Sequence, residues 1–238
     1  MKTVKSLLVM FLVLVMASAA LADNVRVIKR TLKIQPDNDH QELEYNWPIV
    51  SGMNDSKIQD KINQDLYNWF MTDMWAKEIT KAPVIKVPAP FDGDVMLRHE
   101  VLVKYEIPFC DKDLLCITRF AYEYTGGAHG MSVKAFRLID LSSGKILKLD
   151  DLLVKDYQKQ LDAQINKRAP REELFEKDQP VGTKQMGGWF ITKEALIIHY
   201  DLYSIAPYSS GFIEIAIPWD EMSELIKKDG LLGGLVQK

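Results

Sequence analysis

From Tyr122 the chain reads Tyr-Glu-Tyr-Thr-Gly-Gly-Ala-His-Gly, ending at Gly130; about eighty residues later Tyr203 opens Tyr-Ser-Ile-Ala-Pro-Tyr-Ser-Ser-Gly, ending at Gly211. In the first segment a strand pattern runs into three glycines around one histidine, and in the second a proline and a glycine bend the chain before another strand-like run. Glycine opens backbone conformations that other residues avoid and lets a neighbour approach closely, so a strand must bend or stop at such points. Both segments carry tyrosines that gain by packing across such a gap. The pattern therefore predicts that they adjoin, with His129 and Tyr203 or Tyr208 lining one shallow cleft.

The rest of the chain supplies elements to hold these bends. Residues 25–34 and 42–50 alternate or cluster as strands do, with the turn-forming Pro36-Asp-Asn-Asp-His40 between them. Asn54-Asp-Ser56 caps a helix whose Ile58, Ile62, Leu66, Trp69, Phe70 and Met74 form one apolar stripe, over about six turns. Pro83, Pro88 and Pro90 interrupt the chain, and strand-like runs follow at 95–108, 116–124 and 133–141. Ser142-Ser-Gly-Lys145 closes a hairpin into residues 146–149, and Asp150 or Asp151 caps a second helix carrying Leu153, Tyr157, Leu161 and Ile165. Residues 169–188 read as a long surface loop, 189–192 with 196–200 as a hairpin, and 212–217 as the last core strand. Met222, Leu225 and Ile226, after Pro218, sit at helical spacing. Strand runs interrupted by single helices predict an α+β fold of antiparallel sheets, with two main helices and a short C-terminal helix.

At the N-terminus, Lys2 and Lys5 precede an apolar run at 7–16, and Ala20-Leu21-Ala22 offers small residues where a signal peptidase reads. Residues 1–22 are therefore expected to be a signal peptide, placing the mature chain, from Asp23, in the periplasm or outside the cell. The apolar run is short of the roughly 20 residues that span a bilayer, and no cysteine near the cleavage point offers a lipid anchor. No stable membrane anchor is expected after cleavage. Removing two lysines leaves 28 basic against 33 acidic side chains, a net charge of −5, which gives no electrostatic reason to bind nucleic acid. Cys110 and Cys116, the only cysteines, flank Asp-Lys-Asp-Leu-Leu between two strand-like runs. In an exported protein such a pair is most simply a disulfide pinning a hairpin. The alternative, a redox or metal pair, lacks C-x-x-C spacing and neighbouring histidines.

Residues 120–130, Phe136-Arg-Leu-Ile-Asp-Leu141, Ser143-Gly-Lys145, Leu149-Asp-Asp-Leu152, Trp189-Phe-Ile-Thr192 and 203–219 occur in an order that resembles the extracytoplasmic module of RsiV-type anti-sigma factors and PdaC-type peptidoglycan deacetylases. Residues 24–110, with Ile62-Asn-Gln inside the first helix, are similar to the smaller module that commonly precedes it. The resemblance implies a signal peptide at 1–22, an N-terminal PdaC-like module at 23–110 and a C-terminal RsiV-like module at 111–238 carrying the Gly-Gly-Ala-His-Gly motif. It also implies a domain that binds protein or polysaccharide in the cell envelope: a lysozyme receptor in the anti-sigma members, and the companion of a separate catalytic domain in the deacetylases. No sigma-binding segment or room for a deacetylase domain is read in this sequence, so neither parent function is expected whole.

His129, flanked by small residues, is the candidate for catalysis. The reading preferred over it is a strand-bend histidine bonded to a nearby carbonyl or side chain, because catalysis by histidine needs a nucleophile or carboxylate in reach and the sequence places none. His40, His99, His129 and His199 are scattered without zinc-ligand spacing, and Ser209-Ser210-Gly211 lacks a nucleophile-elbow pattern. No metal or cofactor is expected. Phe120, Tyr122 and Tyr124 share a strand face, with Phe120 and Tyr122 read as core, while loop residues Tyr203 and Tyr208 read as contact surface. The expected binding set is Tyr124, Gly127, His129, Tyr203 and Tyr208, facing a lysozyme-like envelope protein or peptidoglycan. The alternative is a peptidoglycan hydrolase or deacetylase using His129.

Overall fold

The computed structural model describes residues 17–21, 25–34, 41–71, 99–126 and 128–236. Its centre is a seven-stranded sheet in sequential order: β1 (Ala17–Leu21), β2 (Val25–Ile34), β3 (Gln41–Ser51), β4 (His99–Cys110), β5 (Leu114–Tyr124), β6 (Met131–Asp140) and β7 (Lys145–Leu147). β1 falls within the segment read as a signal peptide, so cleavage after Ala22 would leave β2 at the edge. The antiparallel expectation needs one correction: β3 and β4 pair in parallel, Gln41 opposite His99 through Tyr45 opposite Val103. α1 (Ser56–Phe70) lies in the connection between them, and a parallel pair needs a crossover of this kind.

Local chemistry accounts for α1. The Asp55 carboxylate accepts the backbone N–H groups of Lys57 and Ile58 at 2.8 and 3.2 Å, filling two of the donors a helix start leaves open. Ile62, Leu66 and Phe70, at intervals of four, are buried on one face of the large sheet. Asn63 fixes the helix to β3 by donating to the Val50 carbonyl and accepting the Val50 N–H. Met74 and the three prolines of 83–90 lie outside the described residues.

The opposite face of the large sheet meets a three-stranded antiparallel sheet, β10 (Ile213–Pro218), β9 (Ala195–Tyr200) and β8 (Gly188–Ile191). β5 is covered on both sides: Leu114 and Cys116 join the core of the small sheet, and Leu115 and Ile117 join that of α1. That double burial is why β5 opens as an unbroken apolar run. β10 instead alternates, with Ile213, Ile215 and Ile217 buried. The second helix is two pieces, α2 (Leu149–Leu152) and α3 (Gln158–Arg168). Between them Leu153 bridges Ile226, Val154 N–H donates to the Leu225 carbonyl and Asp156 takes φ 61°. The same pairing draws residues 223–227 out of the expected C-terminal helix. What remains is a 3₁₀ turn, Trp219–Met222, and a four-residue helix, α4 (Gly233–Val236).

Cys110 and Cys116 are both free thiols, which corrects the expected disulfide. Cys110 pairs with Leu115 and Cys116 with Phe109. The two cysteines therefore differ by one residue in register, and successive strand residues point to opposite faces. Cys116 is buried toward the small sheet and Cys110 packs toward the α1 side. Burial pushes their thiols up to about 12 and about 11, so neither is a ready nucleophile.

Candidate functional site

The two glycine-rich segments meet at one rim of the sheets. After β5 the chain turns at Gly126, φ 99°, and enters β6 through Gly130. A side chain at Gly130 would place its Cβ 2.4 Å from the Tyr122 ring and 2.6 Å from the Glu123 carbonyl oxygen. Glycine is thus required there by close approach. After β9, the Ser204 N–H donates to the Asp201 carbonyl, closing a turn that holds Tyr203 at φ 65°. Tyr208–Ser210 forms a 3₁₀ turn, ended by Gly211 at φ 70° in open space.

The carbonyl of Gly130 joins the segments. It accepts the Tyr208 hydroxyl at 3.0 Å and the His129 Nδ1–H at 2.9 Å. The His129 proton so placed leaves Nε2 as the basic nitrogen. His129 and Tyr208 stack at 4.4 Å between centroids and 23° between planes, and Tyr203 leans on Tyr208 at 5.5 Å and 35°. His129 is exposed, Tyr208 half-buried and Tyr203 49% exposed. The result is a ledge of three rings with one imidazole nitrogen able to accept a hydrogen bond. Behind the bend, a pocket of about 170 Å³ is lined by Leu174, Phe175, Val181, Ser204 and Ile205.

Of the residues singled out from the sequence, His129, Tyr203 and Tyr208 are brought together. Tyr124 sits half-buried at the end of β5 opposite Glu100, and Gly127 lies outside the described residues. Among the described residues no group of three or more His, Cys, Asp or Glu side chains is arranged to hold a metal ion.

A second polar cluster, which the sequence reading passed over, backs the ledge. His199, completely buried on β9, has Nδ1 3.2 Å from Glu214 Oε1 and Nε2 3.3 Å from Asp201 Oδ1. Lys134 of β6 donates to the same Glu214 oxygen at 2.8 Å. Burial works to raise the Glu214 carboxyl, but the hydrogen bonds from His199 and Lys134 outweigh it and hold it below the usual carboxylate range. The imidazole packs between Phe136 and Phe212, and Phe136 stacks on Phe190 at 5.1 Å. The signal available was a lone histidine inside an apolar strand pattern, Ile197-Ile-His-Tyr200, followed at once by Asp201.

Residues 34–132 match the family described as Deacetylase PdaC, and residues 149–220 match the one described as Protein of unknown function (DUF3298). Taken together, the two matches make the chain similar to proteins of PdaC/DUF3298 type. A relative, the peptidoglycan-N-acetylmuramic acid deacetylase PdaC of Bacillus subtilis (strain 168), is 29% identical over 140 residues. That alignment covers 55% of this chain and 30% of the enzyme, so the chain spans under a third of the relative it matches. A crystal structure of a DUF3298 member from Bacteroides fragilis shares the fold at a TM-score of 0.62 and 18% identity, over 89% of this chain and 98% of that one. A DUF3298 protein from Pseudomonas aeruginosa does so at 0.59 and 20%, over 85% and 94%. Among the described residues no helix is long and apolar enough to cross a membrane.

Proposed function

We propose that this is an exported, non-enzymatic binding protein of the cell envelope that docks cell-wall polysaccharide on the His129–Tyr208–Tyr203 ledge. The observation that carries the reading is the stacking of those rings, from two segments far apart in sequence, on an exposed rim. Tyrosine faces take the apolar face of a sugar ring, and their hydroxyls with His129 Nε2 offer hydrogen-bonding groups for sugar hydroxyls. The relative named for peptidoglycan deacetylation supports a wall glycan as ligand, and the leader-like N-terminus supports export. The contacts of His129 are a backbone carbonyl and a tyrosine ring, an arrangement that suits holding a ligand better than moving its protons.

Co-sedimentation with purified peptidoglycan tests this. The wild-type chain should pellet with it, and Tyr203→Ala and Tyr208→Ala should each weaken retention by about tenfold, as loss of one central aromatic contact does, with unchanged circular dichroism. Retention on immobilised lysozyme but not on peptidoglycan would replace the glycan by a protein partner. Release of acetate or fragments from labelled peptidoglycan, abolished by His129→Ala, would replace binding by catalysis.

A further inference from the structure

We infer that the pocket beside the ledge takes the amine-bearing side chain of a wall peptide, so that the protein reads the peptide stem of peptidoglycan as well as its sugars. The inference rests on the reading of the ledge as a glycan surface. The pocket begins where the ledge ends: Tyr203 carries the last ring, and Ser204 and Ile205, the next two residues, line the cavity. Its other wall comes from the loop that includes Leu174, Phe175 and Val181. The Phe175 N–H donates to the Ile205 carbonyl at 3.0 Å and joins the two walls. Arg171 holds the Gln179 carbonyl at 2.6 Å, and Asn166 of α3 accepts the Val181 N–H at 3.0 Å. The loop is thus tied down around a standing cavity, and long ordered loops in a compact domain are mostly functional ones.

Size and walls select the guest. Leu174, Val181 and Ile205 are buried, and Phe175, 55% exposed, lines the open side. At about 170 Å³ the pocket falls well below the roughly 300 to 1,000 Å³ of cavities that enclose whole ligands. An apolar cavity of about 150 Å³ takes a guest of benzene's size. A sugar, polar on every edge, suits neither the volume nor the walls. A chain of about four methylenes, the stem of a lysine-like side chain, suits both.

The lining adds a charge. Glu176 is part of it and is exposed. Its cationic neighbours are committed elsewhere: Lys177 pairs with Glu172, and Arg171 donates to the carbonyls of Lys177 and Gln179. Among the described residues no cation pairs with Glu176, and Glu173 and Asp178, both exposed, add to the negative field around it. An aliphatic side chain ending in an ammonium meets both demands, with its methylenes against Leu174 and Val181 and its charge in water beside Glu176. Wall peptides carry such a group on the diamino acid through which they are cross-linked, and they hang from the sugars that the ledge would hold.

Co-sedimentation with peptidoglycan in three forms tests this, beside an NMR titration of the isotope-labelled full chain with the tripeptide L-Ala-D-Glu-L-Lys. Acetylating the free amines of the wall should lower wild-type retention by about threefold, the scale of one exposed ion pair. Glu176→Gln, an isosteric change at an exposed residue, should lower retention on intact wall to the same extent and change nothing on the acetylated wall. Glycan strands freed of peptide by an amidase should be held more weakly still. The tripeptide should shift the methyl signals of Leu174, Val181 and Ile205. Equal retention of intact and acetylated wall by the wild type, with Tyr208→Ala still weakened on both, overturns the inference and leaves the ledge reading in place. Methyl shifts with the tripeptide but no retention of any wall form remove the ledge reading and support the pocket. Methyl signals that stay still, while a basic protein is retained through Glu176, overturn the wall peptide in favour of a protein's lysine.

Discussion

Among the described residues, His129 and His199 both lie against aromatic rings, and their surroundings differ in almost every other respect. His199 is sealed in the seam between the sheets, with carboxylates at both nitrogens and Phe136 and Phe212 at its faces. His129 stacks in the open on Tyr208, held by one backbone carbonyl. In the seam, every group removed leaves a void or an unpaired charge in a dry environment, so change there costs stability. On the ledge, water replaces whatever is removed, so change costs little except to a ligand. A shared residue chemistry thus serves cohesion in one place and contact in the other.

The sharpest way to break that contrast is Phe190→Ala. Phe190 is buried, stacks on Phe136 at 5.1 Å and lies at the centre of the seam. Its truncation should cost about 4 kcal/mol, transfer loss and cavity together, measured as a fall in the urea midpoint with an unchanged slope. Tyr203→Ala in the same assay should move stability by no more than about 0.5 kcal/mol, as exposed substitutions do. Comparable losses in the two variants would mean that the ledge is part of the core.

Gly130→Ala probes the boundary between the regions. The new methyl would meet the Tyr122 ring and, at 2.6 Å, the Glu123 carbonyl, which cannot swing aside as a side chain would. The expected cost is about 3 kcal/mol, the upper end for overpacking, together with weakened peptidoglycan retention because the Gly130 carbonyl anchors both His129 and Tyr208. Normal retention at full stability would show that the ledge does not depend on this close approach.

Where the chain's pattern was local, it was readable. Asp55 at the start of α1, the apolar stripe of Ile62, Leu66 and Phe70, and the strands around residues 114–124 and 195–200 follow from capping and periodicity alone. The glycine segments also announced their own meeting, since Tyr208 does reach Gly130 across 78 residues. What escaped depends on partners distant in sequence. The break at Leu153–Tyr157 exists because Leu153 bridges Ile226, and the parallel pairing of β3 with β4 joins residues more than fifty positions apart. The cysteines failed on a single residue of register, a quantity that spacing along the chain does not encode. His199 was visible only as an isolated histidine until β10 placed Glu214 directly opposite it.

A smaller effect sharpens the contrast at one atom. Tyr208→Phe keeps the ring stacked on His129 and removes only the hydroxyl that donates to the Gly130 carbonyl at 3.0 Å. Because His129 still serves that carbonyl, the cost should be about 1 kcal/mol, one ordinary hydrogen bond. Peptidoglycan retention should fall less than in Tyr208→Ala, and equal falls would assign the binding contribution to the hydroxyl rather than to the ring.

The smallest effect is confined to acid and separates the regions by pH. In the folded chain Glu214 is held below the ordinary value of 4.5 because, against the upward push of burial, His199 and Lys134 bond its carboxylate. A depressed carboxyl stabilises the fold above its unfolded pKa, and that contribution is lost as pH falls through the lower folded value. The wild-type chain should therefore lose stability on acidification below about pH 4.5, and Glu214→Gln, which keeps the shape but not the charge, should flatten part of that slope. The ledge has no carboxylate in its ring contacts or in the bonds to the Gly130 carbonyl, so Tyr203→Ala should leave the acid limb as it stands in the wild type. Denaturant midpoints collected across the acid range for the three proteins decide the matter: a Glu214→Gln slope parallel to wild type would show that the seam's charge pairing adds nothing to folding, and that packing of Phe136 and Phe190 alone separates the seam from the ledge.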